Sequence, residues 1–247
     1  MRLEDLRPDE VPGSLRGLPA DAVLDYYRGT YETDPGYVGY SEQTLKEELV
    51  RAALRLPATN AVDLGCGPNP VVLFDLHDER PELSFTGIEL SADFCRHARD
   101  NAAKRGVELS VVNASVHDTG LPDGSFDLAI LAETLEHVPD EIESATLLEA
   151  RRLLKSGGHL LISVPNRNDL FERYMTWRRG FFEEHPQHLR DYTPESLRPL
   201  VEQADFTIVR ALRVRPERSD SRAARAIGLL PVPARWSVKA AFVARAV

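Results

Sequence analysis

The stretch of sequence that decides the fold of this chain is Val62-Asp63-Leu64-Gly65-Cys66-Gly67-Pro68-Asn69-Pro70. Its first residues form the end of an apolar run, and the two glycines after them allow a turn that a ligand can approach closely. Asn69 suits the N-cap of a following helix, and Pro70 suits the first helical position. The pattern predicts a strand, a glycine turn and a helix, in that order.

An acidic residue, Glu89, ends the next predicted strand, 22 residues after Gly67. A carboxylate at that position can accept hydrogen bonds from both hydroxyls of an adenosine ribose. A nicotinamide or flavin dinucleotide site is the obvious rival, but its G-x-G-x-x-G pattern would need glycine in place of Pro70. A pyrophosphate would also be repelled by Asp63. The carboxylates Asp63, Glu89 and Glu133 therefore favour a cationic ligand without phosphate.

Short apolar runs alternate with amphipathic segments from about residue 41 to about residue 215. This alternation predicts an α/β fold with a parallel sheet. We expect strands at residues 61–64, 85–90, 109–112, 126–132, 159–164, 207–214 and 240–244. Ser91 and Gly106 predict the two ends of one helix, and Asp140 and the Gly157-Gly158 pair predict those of another.

Composition and charge argue against several functional classes. The chain has 30 basic and 39 acidic residues, a formal net charge of −9 that disfavours binding to nucleic acid. Cys66 and Cys95 form no C-x-x-C motif, and no run approaches the length of a membrane span, so we expect a cytoplasmic protein. The basic C-terminal tail, residues 221–247, is either solvated or makes a weak membrane-surface contact. Its basic residues are Arg222, Arg225, Arg235, Lys239 and Arg245.

Further motifs follow the glycine turn, and the ordered set resembles a known family. They are Gly87-Ile88-Glu89-Leu90-Ser91, Leu121-Pro122-Asp123-Gly124-Ser125-Phe126-Asp127, Glu133-Thr134-Leu135-Glu136-His137-Val138-Pro139-Asp140 and Leu154-Lys155-Ser156-Gly157-Gly158. Over about residues 41–215 the chain resembles the class I S-adenosylmethionine-dependent methyltransferases, and within them the ubiquinone-biosynthesis-like O-methyltransferases and related natural-product enzymes. The resemblance implies a Rossmann-like fold, with a mostly parallel seven-stranded sheet and helices on both faces.

The resemblance also implies S-adenosylmethionine as the cofactor. Its carboxypropyl end is expected near Asp63 and Gly65, its ribose on Glu89, and its adenine beside the loop after the third strand. The family usually has an acidic residue in that loop, whereas this chain reads Asn113-Ala114-Ser115-Val116-His117-Asp118, with Asp118 as a weaker candidate. The expected cofactor-binding residues are Asp63, Gly65, Cys66, Gly67, Glu89, Leu90, Asn113, Ser115, Val116 and Glu133.

Three histidines are candidates for a catalytic base. His137 follows the fourth predicted strand, and His185 and His188 lie near the end of an aromatic segment. A neutral imidazole can take a proton from a phenol, catechol or sugar hydroxyl near pH 7. Local hydrogen bonding is the alternative role for each of them.

The string Glu133-x-x-Glu136-His137, with His185 or His188 later, also looks like the metal set of the small-RNA 3′-terminal 2′-O-methyltransferases. Two carboxylates and two imidazoles can hold a divalent ion. The same string is common in the quinone branch, however, and this chain is acidic. We therefore expect no functional metal.

Two regions lie outside the α/β rhythm. Residues 1–40 include a tyrosine-rich stretch from Tyr26 to Tyr40 and form either a lid or an N-terminal packing segment, while residues 41–247 form the methyltransferase domain. Within that domain we expect residues 167–190 to form a substrate cap, since an aromatic insertion after a strand's carboxyl end suits that role. Its aromatic residues are Phe171, Tyr174, Trp177, Phe181 and Phe182.

The expected function is methyl transfer from S-adenosylmethionine to a small molecule, at oxygen. The alternatives are a metal-dependent RNA 2′-O-methyltransferase, a dinucleotide oxidoreductase, and a methyltransferase-fold subunit without activity.

Overall fold

A computed structural model describes the protein over residues 15–29, 43–180, 187–215 and 233–247. These ranges contain seven strands and seven α-helices. The strands are β1 (Asn60–Leu64), β2 (Ser84–Glu89), β3 (Leu109–Asn113), β4 (Phe126–Ala132), β5 (Leu154–Pro165), β6 (Phe206–Ala211) and β7 (Lys239–Ala246). The helices are α1 (Ala20–Gly29), α2 (Gln43–Ala53), α3 (Val71–Glu79), α4 (Ala92–Arg105), α5 (Asp140–Leu153), α6 (Leu170–Arg179) and α7 (Pro194–Gln203).

The strands form one sheet in the order β3-β2-β1-β4-β5-β7-β6. Strands β1 to β5 pair in parallel, whereas β7 pairs antiparallel with both β5 and β6. This confirms the predicted Rossmann-like, mostly parallel seven-stranded sheet. The strand order reverses between β1 and β4, and in open α/β sheets ligands bind at the carboxyl ends of the strands at such a point.

Helices cover both faces of the sheet, as predicted. One buried cluster includes Leu147 of α5 and Leu197 of α7, and the other includes Leu49 of α2 and Leu73 of α3. Alternate residues of β4 belong to the two clusters, because successive side chains of a strand point to opposite faces. Each fully buried leucine contributes roughly 1.5–3 kcal/mol, so the two layers hold the strand ends in fixed positions.

The helix boundaries agree with the sequence at α4 and disagree at α5. The Ser91 hydroxyl accepts a hydrogen bond from the Phe94 backbone N–H at 3.4 Å, and Gly106 is left-handed with φ 71°, as expected. The prediction that Gly157-Gly158 ends the next helix is wrong, since α5 ends at Leu153 and both glycines lie inside β5. The register of β5 against β4 shifts there, which explains the positive φ of Gly157.

The helix after the glycine turn begins one residue later than predicted, because Pro70 is the N-cap of α3 and Val71 is its first residue. Among the described helices, none combines the length and the apolar composition needed to cross a bilayer.

Candidate active site

The glycine turn after β1 forms the floor of a cleft at the carboxyl edge of the sheet. The backbone N–H groups of Gly65 and Cys66 both donate to the Ile88 carbonyl, at 2.9 and 3.0 Å. A Cβ atom on Gly65 would lie 2.6 Å from the Thr134 side chain, so only glycine fits there. Gly67 has φ 62° and nothing within 4 Å of a Cβ position, so its backbone is open to a ligand.

Two backbone N–H groups hold the Glu89 carboxylate in place. The Gly67 N–H donates to its Oε2 at 3.1 Å, and the Ser91 N–H donates to its Oε1 at 2.8 Å. Burial raises the pKa of Glu89, and these two hydrogen bonds oppose the rise. Each carboxylate oxygen keeps a further acceptor position, so the side chain can receive two hydroxyls from the cleft.

Asp63 lies at the end of β1 and lines the same cleft. It is buried, and this burial, with the nearby charge of Glu89, raises its pKa to about 7. Two carboxylates this close favour a ligand with positive charge, because a cation would stabilise their ionised forms. A pyrophosphate would have the opposite effect.

The loop after β3 divides into cleft residues and supporting residues. Ser115 and Val116 line the cleft, as do Leu90 and Phe94 from the other wall. Asn113 is exposed and is not among the lining residues. Its side-chain amide donates to the backbone carbonyls of Glu89 and Leu90, at 2.9 and 2.7 Å. Asn113 therefore supports the end of β2, and its predicted contact with the cofactor stays a prediction.

Glu133 follows β4 and lines the cleft, but its carboxylate is already compensated. Its Oε2 accepts from the Lys239 ammonium at 2.5 Å, and its Oε1 accepts from the Ser163 hydroxyl at 3.0 Å. The Lys239 side chain is only 4% exposed and that of Glu133 11%, so this is a buried ion pair. This pair was not predicted, because its two residues lie 106 positions apart along the chain.

Glu136 is the least solvated acid of the site. It is 1% exposed, and neither of its carboxylate oxygens has a hydrogen-bond partner. Burial and the neighbouring Glu133 raise its pKa well above the ordinary range of a carboxyl group. Burial without a counter-ion therefore favours the protonated form of this side chain.

Three potential metal ligands come together at this point. Ligand atoms of Glu136, His137 and His188 lie within 4.8 Å of one another. The set differs from the one considered from the sequence, since Glu133 is paired with Lys239 and His185 lies outside the described residues. A protonated carboxyl group is a poor metal ligand. That no metal takes part in the reaction stays a prediction.

His137 ends a 3-10 turn, Leu135–His137, and lines the cleft. Its Nδ1 atom lies 2.9 Å from the Tyr27 hydroxyl and 3.1 Å from the Gln187 carbonyl oxygen. Its ring also packs edge to face with His188, with 5.0 Å between the centroids. The structure thus brings two of the three candidate bases together, and of these two described residues His137 lines the cleft and His188 does not.

The wall beside His137 comes from helices that the sequence did not assign to the site. Leu24 and Tyr27 of α1 and Leu45 and Leu49 of α2 line it. Lys46 also lines it, with its ammonium 3.0 Å from the Asp75 carboxylate. On α1 the buried residues are Val23 and Tyr26, whereas Leu24 and Tyr27, which share the same three-residue spacing, are partly exposed and face the cleft.

Two aromatic residues of the expected cap, Tyr174 and Trp177, lie away from the cleft. Trp177 is 79% exposed and packs on Tyr174 with 6.2 Å between ring centroids, and neither residue lines the cleft. Phe181 and Phe182 lie outside the described residues, as does most of the tyrosine-rich stretch after Tyr27. The cap and the division at residue 40 stay predictions.

The basic C-terminal tail is also only partly described. Arg222 and Arg225 lie outside the described residues, and Lys239 is buried against Glu133. Arg235 stacks over the Trp236 ring at 4.8 Å. Lys239, one of the five basic residues of the tail, therefore cannot contact a membrane surface.

Residues 37–211 match the family model described as a methyltransferase domain. This match covers most of the chain, and the chain therefore belongs to the methyltransferase-domain family. Its class is that of the class I S-adenosylmethionine-dependent methyltransferases.

Individual relatives are more distant. A ubiquinone biosynthesis O-methyltransferase from Xanthomonas euvesicatoria pv. vesicatoria is 34% identical over 121 residues, which are 49% of this chain and 48% of that protein. The chain thus spans about half the length of the curated relatives that it matches.

Solved structures share the fold. The PH0226 protein from Pyrococcus horikoshii has a TM-score of 0.62 at 18% identity, over 90% of this chain and 99% of that one. The 1,6-didemethyltoxoflavin-N1-methyltransferase from Burkholderia thailandensis, with its substrate and S-adenosylhomocysteine bound, has a TM-score of 0.57 at 19% identity, over 83% of this chain and 79% of that one.

Proposed function

We propose that the protein transfers a methyl group from S-adenosylmethionine to a hydroxyl oxygen of a small, largely apolar molecule. The proposal rests on one cleft, which has the glycine turn and Glu89 at one end and His137 at the other. A methyl donor and an acceptor bound in one cleft can be held in line, which lowers the entropic cost of reaching the transition state.

The residues of the first end fit the cofactor. Glu89 offers two preorganised carboxylate oxygens to the ribose hydroxyls, and the open backbone at Gly67 allows close approach. Asp63 favours a cationic amino-acid end over a phosphate. When bound, S-adenosylmethionine supplies a methyl group on a positively charged sulfur. The carbon–sulfur bond breaks as the methyl group is transferred, and the sulfur becomes a neutral thioether.

The residues of the other end fit an apolar acceptor with one ionisable hydroxyl. Leu24, Leu45, Leu49 and Ile142 form its walls and exclude water from the reacting atoms. The oxygen acceptor draws further support from the name of the Xanthomonas relative, an O-methyltransferase of ubiquinone biosynthesis.

In the proposed reaction, His137 takes the proton of the acceptor hydroxyl as the oxygen forms its bond to the methyl carbon. Such base catalysis typically contributes 100- to 10,000-fold, and it matters most for hydroxyls that are neutral at pH 7. The RNA 2′-O-methyltransferase alternative has less support, because Glu133 is neutralised by Lys239 and the chain is acidic.

Binding and turnover together test this function. Calorimetry with S-adenosylhomocysteine and with NAD should show binding of the first at micromolar concentration and none of the second. Transfer of labelled methyl from S-adenosylmethionine should then occur to members of a catechol and phenol panel, and not to RNA.

The matched variants are His137→Asn and His97→Asn, since His97 is exposed on α4 and does not line the cleft. We expect at least a 100-fold loss of kcat in the first and none in the second. Binding of S-adenosylhomocysteine without turnover on any acceptor would favour a subunit without activity, and NAD binding would favour an oxidoreductase.

The partner is a small molecule rather than a nucleic acid, and the cytoplasmic location expected from the two cysteines stays a prediction.

A further inference from the structure

Lys46 places a positive charge on the wall of a cleft that three acids also line. Among the described residues of that lining, Lys46 is the only lysine or arginine, and the acids are Asp63, Glu89 and Glu133. Glu133 is compensated by Lys239, so Asp63 and Glu89 are the acids that repel an anion. A ligand that carries a carboxylate therefore needs a cation in this cleft.

The position of Lys46 is fixed by an ion pair between two helices. Its ammonium lies 3.0 Å from the Asp75 carboxylate. Lys46 belongs to α2 and follows Leu45 of the acceptor wall, whereas Asp75 belongs to α3, the helix that begins after the glycine turn. The ion pair thus holds the ammonium between the acceptor wall and the helix that starts at the cofactor end of the cleft.

The ion pair does not use all the donors of Lys46. An ammonium group has three N–H donors, and Asp75 is its one ion-pair partner in the part of the chain that the structure describes. The Lys46 side chain is only 17% exposed, so its charge is partly shielded from water and interacts more strongly with an incoming anion. The packing of α2 on α3 does not depend on this ion pair alone, because Leu49 and Leu73 belong to one buried cluster.

We propose that Lys46 is the carboxylate-binding residue of the cleft: its ammonium, held by Asp75, donates hydrogen bonds to a carboxylate of a bound ligand. The inference rests on the proposed function for the identity of the ligands. Two of them can bring such a group, namely the amino-acid end of S-adenosylmethionine and an acceptor that is a hydroxylated aromatic acid. Hydrogen bonds between an ammonium and a carboxylate are stronger than those between neutral groups.

Two matched pairs of ligands separate these two sources. In the cofactor pair, S-adenosylhomocysteine is compared with the analogue in which hydrogen replaces the carboxylate. In the acceptor pair, a dihydroxybenzoate is compared with catechol, and both are titrated into protein that is saturated with S-adenosylhomocysteine. Isothermal titration calorimetry gives the dissociation constant of each ligand without any turnover.

The variants remove the charge, restore it, or remove its partner. Lys46→Met keeps most of the side-chain length without the charge, and Lys46→Arg restores a cation. In Lys46→Met we expect the affinity for the acid member of one pair to fall about 10- to 150-fold, and the affinity for its uncharged member to stay within about twofold. Lys46→Arg should recover most of the loss. Circular dichroism shows whether each variant is folded, and Lys46→Gln replaces Lys46→Met if that variant is not.

Asp75→Asn distinguishes ligand binding from an ion pair that only joins two helices. This variant keeps Lys46, so we expect it to keep the preference for the acid member. Lys104→Met is the matched control and should bind like the wild type, because Lys104 is exposed on α4 and does not line the cleft. If Lys46→Met and Asp75→Asn weaken the acid and uncharged members equally, the ion pair is only structural and the proposal is overturned.

The pair of ligands that responds identifies the source of the carboxylate. A loss confined to the cofactor pair assigns it to the cofactor, a loss confined to the acceptor pair assigns it to the acceptor, and either result supports the proposal. Unchanged affinity for both acid members in Lys46→Met would overturn it. If the wild type methylates no acceptor, the proposed function fails, yet the cofactor pair still decides the role of Lys46, because its measurement needs no activity.

Discussion

Removing the Glu89 carboxylate should weaken binding of S-adenosylhomocysteine by a predictable amount. Each Glu89 oxygen already accepts one backbone N–H, at 3.1 Å from Gly67 and 2.8 Å from Ser91, and each keeps one acceptor position for a ribose hydroxyl. Hydrogen bonds to a charged group contribute about 1.5–3 kcal/mol net. Glu89→Ala should therefore raise the dissociation constant about 10- to 150-fold.

Isothermal titration calorimetry of the purified protein gives this constant directly. Glu108→Ala is the matched control, because Glu108 is an exposed acid just before β3 and does not line the cleft. The control should bind like the wild type, and circular dichroism should show that both variants are folded. A folded Glu89→Ala protein with wild-type affinity would refute the assignment of Glu89 to the ribose.

Three further outcomes follow from the charges of the site. The pKa of Asp63 is raised to about 7 in the folded protein, which therefore keeps a proton on this side chain that the unfolded chain releases above pH ~4. The free energy of unfolding consequently falls as the pH rises from about 4 to about 7. In urea denaturation without cofactor, the stability gained by Asp63→Asn should therefore be about 3 kcal/mol larger at pH 8 than at pH 5, and an equal gain at both would contradict the burial argument. Lys239→Ala leaves Glu133 buried without its cation and should lower the free energy of unfolding by about 3–5 kcal/mol in the same assay. The double variant Glu133→Gln with Lys239→Met should recover most of that loss. Dialysis against a chelator should leave methyl transfer intact, because burial favours the protonated form of Glu136 and a protonated carboxyl group is a poor metal ligand. A loss that Mn²⁺ restores would instead make Glu136, His137 and His188 metal ligands.

The sequence alone determined the architecture and one end of the site. The glycine turn at Gly65 and Gly67 and the acid at Glu89 are local signals, since a turn with positive φ and a strand end are set by a few neighbouring residues. The alternation of apolar runs and helices was enough to predict the parallel sheet. Parallel strands bring their carboxyl ends to one edge, and so the predicted residues Asp63, Ser115 and Val116 line one cleft.

Only the tertiary structure decided the acceptor end. No spacing rule links Tyr27 with His137, or Lys239 with Glu133, because these contacts join segments about 110 residues apart. Their geometry depends on how α1 and the antiparallel β7 pack against the sheet. Tyr174 and Trp177 give a second example. Their aromatic character predicted a cap, but the orientation of α6 leaves Trp177 exposed. Side-chain type can be read along the chain, whereas the partner of a buried charge or ring is fixed only when distant elements have packed together.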